Sequence, residues 1–593
     1  MMLPFANRRW LILLVLLLGV AWSLSLPPNP MPSWGPAVGC GLGLCAALFA
    51  PLHRALKSAV TPIRLKLEAH RLMSALAVGM AVCAYLLLQV WLGRGEMFLR
   101  LHDEHSYMIQ ARMLAQGRLW MPAYPPGVSP FFDTFYVIVD RVYAPMYFPG
   151  TALAAAPALW LRLPYWTSPL ICGAAAAAVF YAIALELFGP IRALIAVLLL
   201  VSRPYFRAMS VMLMSETPSL LAMMILIWAW LRWRRQRRLA WALLIGASAA
   251  WGAITRPLDA LCFAVPIALA MLFELRTQPK AILKMSAAVA LSALPFAALQ
   301  IAQNVGVTGK WWQCAEQYYT AENFPAPVMG FGPFDLTRFP TGWSNAKKAF
   351  ALEQLDRYRH HTLSEELKAW YPARFVDLIY VTLPATMLVA LLPLALLAAN
   401  DPRRIVLLAV IPLFLAGYLA FLLPLLYHMV PIIPLMICAL LMGWEALERA
   451  WPSYRQRIAA FTTVALTATA LGALPEFNRN ASSILLACEP LKQITRDLSV
   501  LTKPSVVLFP FDESRIPVNC FPVYNDDVAW PDEATVIRAN DLGEDHNWKL
   551  FDYYARLQPQ REFYLYDRST PDDPRPLKFL AAAGDLAANH ARR

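Results

Sequence analysis

Runs of apolar residues long enough for membrane-crossing helices alternate with short polar loops along most of the chain. A helix crossing the roughly 30 Å of bilayer hydrocarbon needs about 20 such residues. Runs near this length lie at 10–26, 34–52, 72–92, 166–188, 190–208, 215–231, 239–255, 259–276, 283–302, 376–399, 405–423, 427–446 and 457–474. They predict about thirteen transmembrane helices. Alternate short loops collect the basic residues: Arg8 and Arg9, then Arg54, Lys57, Arg64, Lys66 and Arg71, then Arg192. The run Arg232–Arg238 follows, then Arg276, Lys280 and Lys284, Arg403 and Arg404, and Arg449, Arg455 and Arg457. Threading the spans puts all of these on one side, the cytoplasmic side by the positive-inside rule. The first span lacks a clear small-residue cleavage site, so it reads as a retained helix rather than a signal peptide.

Three long polar segments, 93–165, 303–375 and 475–593, fall on the opposite, outer face. Within the first, residues 151–163 are apolar but too short to cross, which predicts a helix lying in the outer interface. Counting it as a crossing would move Arg232–Arg238 outside. The chain therefore divides into a helical membrane domain, 1–474, and a small outer α/β domain, 475–593. Strand-like runs in the latter are Val506–Phe509, Thr535–Arg538 and Phe563–Tyr566, with the tail past Pro571 expected to be loose.

A hydrophobic content of 59% excludes an ordinary soluble protein, and 20 Trp with 22 Tyr suit many helix ends at an interface. The net charge of +13 resides in the short loops, so it reports orientation and not nucleic-acid binding. Of nine cysteines, Cys40, Cys45, Cys83, Cys172, Cys262 and Cys438 lie in apolar spans, as small hydrophobes. Cys314, Cys488 and Cys520 face outside, where Cys488 and Cys520 form a candidate bridge. No P-loop, GxGxxG or CxxC pair occurs, which argues against nucleotide-driven transport.

The candidate chemistry opens the first outer loop, in Leu101-His102-Asp103-Glu104-His105-Ser106-Tyr107. An acidic pair between two histidines at the mouth of a membrane helix is costly to keep unless it is used. Asp103 suits either a helix N-cap or a general base, and Glu104 a supporting acid. Glu216 begins a later span, where it either complements the helix dipole or joins the reacting group. His102 and His105 have two uses: hydrogen-bond partners of the acids or, with them, donors to a divalent cation. The sequence leaves the metal unknown.

The acidic pair, Tyr107 just after it, and Tyr147-Phe148-Pro149-Gly150 before the short interfacial helix together resemble the GT-C membrane glycosyltransferases. The likeness is to the branch of protein O-mannosyltransferase-like and aminoarabinose-transferase-like enzymes. It runs from about 97 to 330 and takes in Ser202-Arg203-Pro204, Met214-Ser215-Glu216, Thr255-Arg256-Pro257 and Asn304–Gly309. It extends weakly to Val523–Asp527 and Ala539–Gly543.

The resemblance implies a GT-C fold in a bacterial inner membrane, with its active site on the periplasmic or extracellular side. The implied reaction is inverting transfer of a sugar from a polyprenyl-phosphate donor to an acceptor hydroxyl on a glycan, lipid or protein. Asp103, Glu104 and Glu216 then carry the acid–base work, and Tyr107 and Tyr147 complete the first-loop group. Relatives often have Lys before Tyr-Pro-Pro, where this chain has Met146-Tyr147-Phe148-Pro149. That departure shifts the donor phosphate onto Arg203, Arg207, Arg256 or His428, with Arg141 a further candidate. The rival class is a polytopic transporter or a flippase for lipid-linked sugars, which has no internal repeat here to support it. Single cysteines introduced at 320 and 540 are expected to react with an impermeant outer-face thiol reagent, and one at 236 only after permeabilisation. Outer labelling at 236 overturns the thirteen-span topology.

Overall fold

A computed structural model describes residues 9–25, 35–92, 97–335, 345–384, 386–422, 425–474, 489–511, 520–567 and 576–592. Arg8 and Cys488 lie outside these. The first helices are α1 (Arg9–Ser25), α2 (Gly35–Leu48), α3 (Ala50–Ala69) and α4 (Arg71–Leu92). The outer segment that follows holds α5 (His102–Ala115), three short strands, β1 (Met121–Pro122), β2 (Val137–Ile138) and β3 (Val142–Pro145), and α6 (Gly150–Trp160). Then come α7 (Thr167–Phe188), α8 (Pro190–Val201), α9 (Pro204–Met209), α10 (Glu216–Gln236), α11 (Leu239–Ala253), α12 (Pro257–Leu275) and α13 (Pro279–Thr308). The second outer segment contains α14 (Ala315–Asn323), α15 (Asn345–Glu353), α16 (Leu355–His360) and α17 (Leu363–Ala369). The helical domain closes with α18 (Val376–Thr382), α19 (Leu392–Ala398), α20 (Pro402–Leu419), α21 (Ile433–Ala450) and α22 (Arg455–Ala473).

Among the described residues, six stretches are long and apolar enough to cross a membrane: α4, α7, α12, α13, α20 and the continuous stretch Leu426–Ala450. Five shorter apolar helices accompany them, so the chain is a polytopic membrane protein. Two expected spans are interrupted. The run 190–208 divides at Ser202-Arg203 because Pro204 cannot continue the ladder and starts α9 instead. The run 376–399 stops at Leu383, just before Pro384, and resumes as a 3-10 turn and then α19. The reverse also occurs: α3 is a 20-residue helix in what reads as a basic loop. As expected, α6 is a separate 11-residue helix, and its end exposes Trp160 and Leu161.

Small residues set a close helix contact. Gly35, Gly39 and Gly43 recur every fourth residue on α2 and lie against α22. A Cβ on Gly39 would stand 2.6 Å from Thr469 Oγ1 and 2.7 Å from the Ala465 carbonyl oxygen. Only glycine permits that approach, the usual means by which membrane helices gain packing contacts. On the face opposite the outer loops, two carboxylates of α21 gather the basic loops. Arg192 bonds Glu445 at 2.7 Å and Glu448 at 2.7 Å, and Arg404 bonds Glu445 at 2.6 Å. Arginines read from sequence as topology signals thus also neutralise buried acids.

The C-terminal α/β region adds α23 (Glu489–Leu498), β4 (Ser505–Phe509), β5 (Val536–Asn540), α24 (Glu544–Leu557), β6 (Glu562–Tyr566), β7 (Leu577–Ala582) and α25 (Ala583–Arg592). Strand order is β5-β4-β6-β7, with β4 parallel to β5 and β6 and with β7 antiparallel to β6. The three expected strands are present. The expectation of a loose tail is corrected for 576–592: Leu577 pairs with Tyr566, Lys578 pairs with Asp567, and α25 follows. Cys520 is disulfide-bonded. Replacing Gly39 with Leu is expected to destabilise the helical domain by about 1–3 kcal/mol through overpacking. The check is a lower melting temperature in detergent, and an unchanged one removes the close-packing account.

Candidate active site

The first turn of α5 separates the paired acids. Glu104 is fully buried, and its carboxylate accepts from backbone: Arg100 N–H at 2.9 Å, Leu101 N–H at 3.3 Å and Leu213 N–H at 3.1 Å. A carboxylate at the third helical position that reaches back to the helix start is a capping device. Here it also ties the 211–215 turn to α5. Asp103 instead keeps part of its surface open. Its Oδ1 accepts the Tyr147 hydroxyl at 2.6 Å. Burial raises its pKa, while the Tyr147 hydrogen bond and the charge of Arg256 pull it back. Burial raises Glu104 likewise, against its backbone donors.

The loop before α6 reaches this point through a glycine. Gly150 N–H bonds the Ile254 carbonyl at 2.6 Å, and a Cβ there would lie 2.1 Å from Thr255 Oγ1. Tyr147-Phe148-Pro149 is thereby pressed against the turn that carries Arg256. The Tyr147 ring stacks on Tyr107 with centroids 4.4 Å apart, and the Tyr107 hydroxyl shares a hydrogen bond with Ser215. Gln110 and Gln303 both donate to the Tyr147 carbonyl, at 2.6 and 2.9 Å. Tyr136, at φ 62°, occupies a strained left-handed conformation. Its N–H donates to Tyr319 at 2.9 Å, and its carbonyl accepts Ser106 at 2.9 Å and the Met146 N–H at 2.9 Å.

Arg256 is the hub of the second half. Its guanidinium donates to Asp259 at 2.9 Å, Ser215 at 2.9 Å, Glu216 at 2.6 Å and Tyr418 at 2.6 Å. Asp259 also accepts Tyr418 at 2.8 Å and Ser219 at 2.9 Å. Glu216 is wholly buried, its Oε2 finds no hydrogen-bond partner, and His428 Nε2 lies 3.9 Å from its Oε1. Tyr427 stands within the electrostatic reach of Asp103, Glu216 and Arg256 together. Glu316 on α14 joins from the second outer segment: burial raises its pKa and Arg256 lowers it.

The structure thus brings Asp103, Tyr107, Tyr147, Glu216, Arg256 and His428 into one group. Arg203 and Arg207 take other partners. Arg203 bonds the Ser202 hydroxyl at 3.0 Å, while Arg207 donates to Tyr85 at 2.9 Å and to the Leu474 carbonyl at 2.7 Å. Arg141 donates to the Thr308 carbonyl at 2.8 Å. The two histidines face the outer domain. His102 Nδ1 meets the Tyr524 hydroxyl at 2.8 Å, and His105 pairs with Asp526 while stacking on Tyr524. Arg112 donates to the Asp526 carbonyl at 2.8 Å. The first-loop acids and histidines therefore do not converge on a common point. No cluster of three or more metal-ligating side chains forms among the described residues. Asp259, Tyr418, Tyr427 and Glu316 escaped the sequence reading. The Asp259 signal was present, as an acid in the first turn after Arg256-Pro257.

Residues 162–299 match the family model described as dolichyl-phosphate-mannose-protein mannosyltransferase. Similar solved structures include ArnT from Cupriavidus metallidurans bound to undecaprenyl phosphate, at 14% identity and TM-score 0.49, covering 87% of this chain and 98% of that one. The same protein in the apo state aligns at 13% identity and TM-score 0.44, over 87% and 99%. The Archaeoglobus fulgidus oligosaccharyltransferase in complex with Zn and sulfate gives 15% identity and TM-score 0.40, over 68% of this chain and 53% of that one. No curated protein sequence matches the chain significantly.

If Tyr147 tunes Asp103, Tyr147→Phe removes a hydrogen bond that favours the ionised acid, so the Asp103 pKa rises. Activity that needs ionised Asp103 is lost as pH falls through that pKa. The acidic limb of the rate profile is therefore expected to move to higher pH, and an unmoved limb dismisses the coupling.

Proposed function

We propose that the group of residues around Asp103 and Arg256 transfers a sugar, with inversion, from a polyprenyl-phosphate donor to an acceptor hydroxyl at the outer face of a bacterial inner membrane. The observation that supports it best is the asymmetry of Asp103. One oxygen is held by Tyr147, and no other side chain among the described residues bonds the second. An acceptor hydroxyl is a poor nucleophile at neutral pH. A positioned carboxylate that takes its proton during attack typically contributes 10²–10⁴-fold. The burial that raises the Asp103 pKa makes it a stronger base while Tyr147 keeps it available in the ionised form.

The leaving polyprenyl phosphate gains charge and needs cationic donors. Arg256 is the cation nearest the acids, and four of the five N–H groups of a guanidinium are engaged by Asp259, Ser215, Glu216 and Tyr418. A donor phosphate is thus met by the remaining N–H, or by Arg256 turning from Glu216 toward it, with His428 beside both. The donor's apolar chain stays in lipid next to the starts of α10 and α12. The sugar, the acceptor and the length of the carrier are left open by this reading.

The test uses purified protein with polyprenyl-phosphate sugars presented in turn, scoring release of polyprenyl phosphate. Asp103→Asn is expected to lower turnover at least about 100-fold with melting temperature and donor retention unchanged. Arg256→Lys, which keeps the charge but loses the fork, is expected to raise KM for the donor more than it lowers kcat. Near-normal turnover by Asp103→Asn reassigns that residue to capping α5.

A further inference from the structure

We propose that α3 is a binding surface for anionic phospholipid headgroups on the membrane face opposite the candidate active site. Its position follows from chain geometry. The 22 residues of α4 rise about 33 Å between the end of α3 and the segment leading to Asp103, which puts the two at opposite ends of a bilayer crossing. α3 packs against α2, α4, α8 and α22.

Its sequence is that of an interfacial helix. Leu52, Leu56, Val60, Ile63 and Leu67 recur at spacings of three and four, so they form one stripe along the helix. Leu56, Val60 and Leu67 are partly covered, while Leu52 and Ile63 at the edge remain 46% and 49% exposed. Lys57 and Arg64 flank the stripe on one side and Lys66 on the other, all three exposed. Among the described residues none of the three forms an ion pair, and Glu68 is the lone carboxylate on the helix. On the polar side a hollow of 460 Å³ is lined by Arg54, Lys57, Ser58, Thr61, Pro62 and Leu65.

The contrast is with the basic loops around Glu445 and Glu274. Arg192, Arg404 and Arg449 meet Glu445, and Arg234 and Arg237 meet Glu274. Those cations are neutralised by acids of the protein, whereas Lys57, Arg64 and Lys66 flank exposed leucine and isoleucine and look outward. Apolar residues immersed at the acyl boundary, with lysine and arginine at phosphate depth, are the arrangement that holds an anionic bilayer surface. The occupant is therefore the phosphodiester of a membrane lipid.

The experiment is native mass spectrometry of the full-length protein with phosphatidylglycerol or phosphatidylcholine added at equal concentration. The wild type is expected to retain phosphatidylglycerol preferentially, with retention falling as ionic strength rises. Each cation near an anionic surface is worth roughly fivefold. The triple variant Lys57→Gln/Arg64→Gln/Lys66→Gln is thus expected to lose roughly a hundredfold, and Lys57→Arg/Lys66→Arg to bind as the wild type does. Folding is followed by the elution profile. Equal retention of the two lipids by the wild type overturns the proposal whether or not the triple variant folds, and so does undiminished phosphatidylglycerol retention by a folded triple variant.

Discussion

The guanidinium of Arg256 lies mostly covered between two carboxylates, and one end of the helical domain is organised around it. Arg256 precedes α12, Glu216 opens α10, Asp259 lies one turn into α12, and Tyr418 comes from the end of α20. None of these groups tolerates low-dielectric surroundings alone, and removing one partner of such a set typically costs 3–5 kcal/mol. The ends of three helices are therefore fixed relative to one another by charge. Ser215 extends the set to Tyr107, and the Tyr107–Tyr147 stack carries it to Asp103. The first outer loop is positioned by this chain of contacts as well as by its own α5.

Three carboxylates in this region share a chemistry and differ in environment. Glu104 is bound by backbone N–H groups, which suit the capping of a helix better than proton transfer. Glu216 is held by an arginine and has one bare oxygen. Asp103 is held by a neutral hydroxyl and keeps part of its surface open. Separating acids by environment is how one site accommodates a base and structural anions at the same pH.

The outer α/β domain is latched to the same helix. His102 and His105, one turn of α5 apart in facing, reach Tyr524 and Asp526, and Asn540 at the end of β5 donates to the Pro130 and Asp133 carbonyls. The charge of His105 holds the Asp526 carboxyl below its usual range, so the contact is electrostatic as well as stacked. The α/β domain thus buttresses α5 from behind while Tyr147 and Arg256 define its front.

Sequence determined the class of this molecule because membrane physics acts on composition. Apolar run lengths and the too-short stretch at 151–163 gave the helical domain and the separate α6. Alternation and turn residues gave β4, β5 and β6. Asp103 was legible because an acid at a helix mouth is costly, and Glu216 and Arg256 for the same reason. Tertiary structure alone decided the roles. Nothing local distinguishes Asp103 from Glu104; the difference is that Leu213, over a hundred residues away, turns its N–H toward one of them. Nothing local separates Arg256 from Arg203 and Arg207 either, since each takes the partner that distant packing supplies. The strand β7 and the helix α3 were missed because their apolar residues acquire meaning only from the surfaces they meet, β6 for one and the bundle's opposite face for the other.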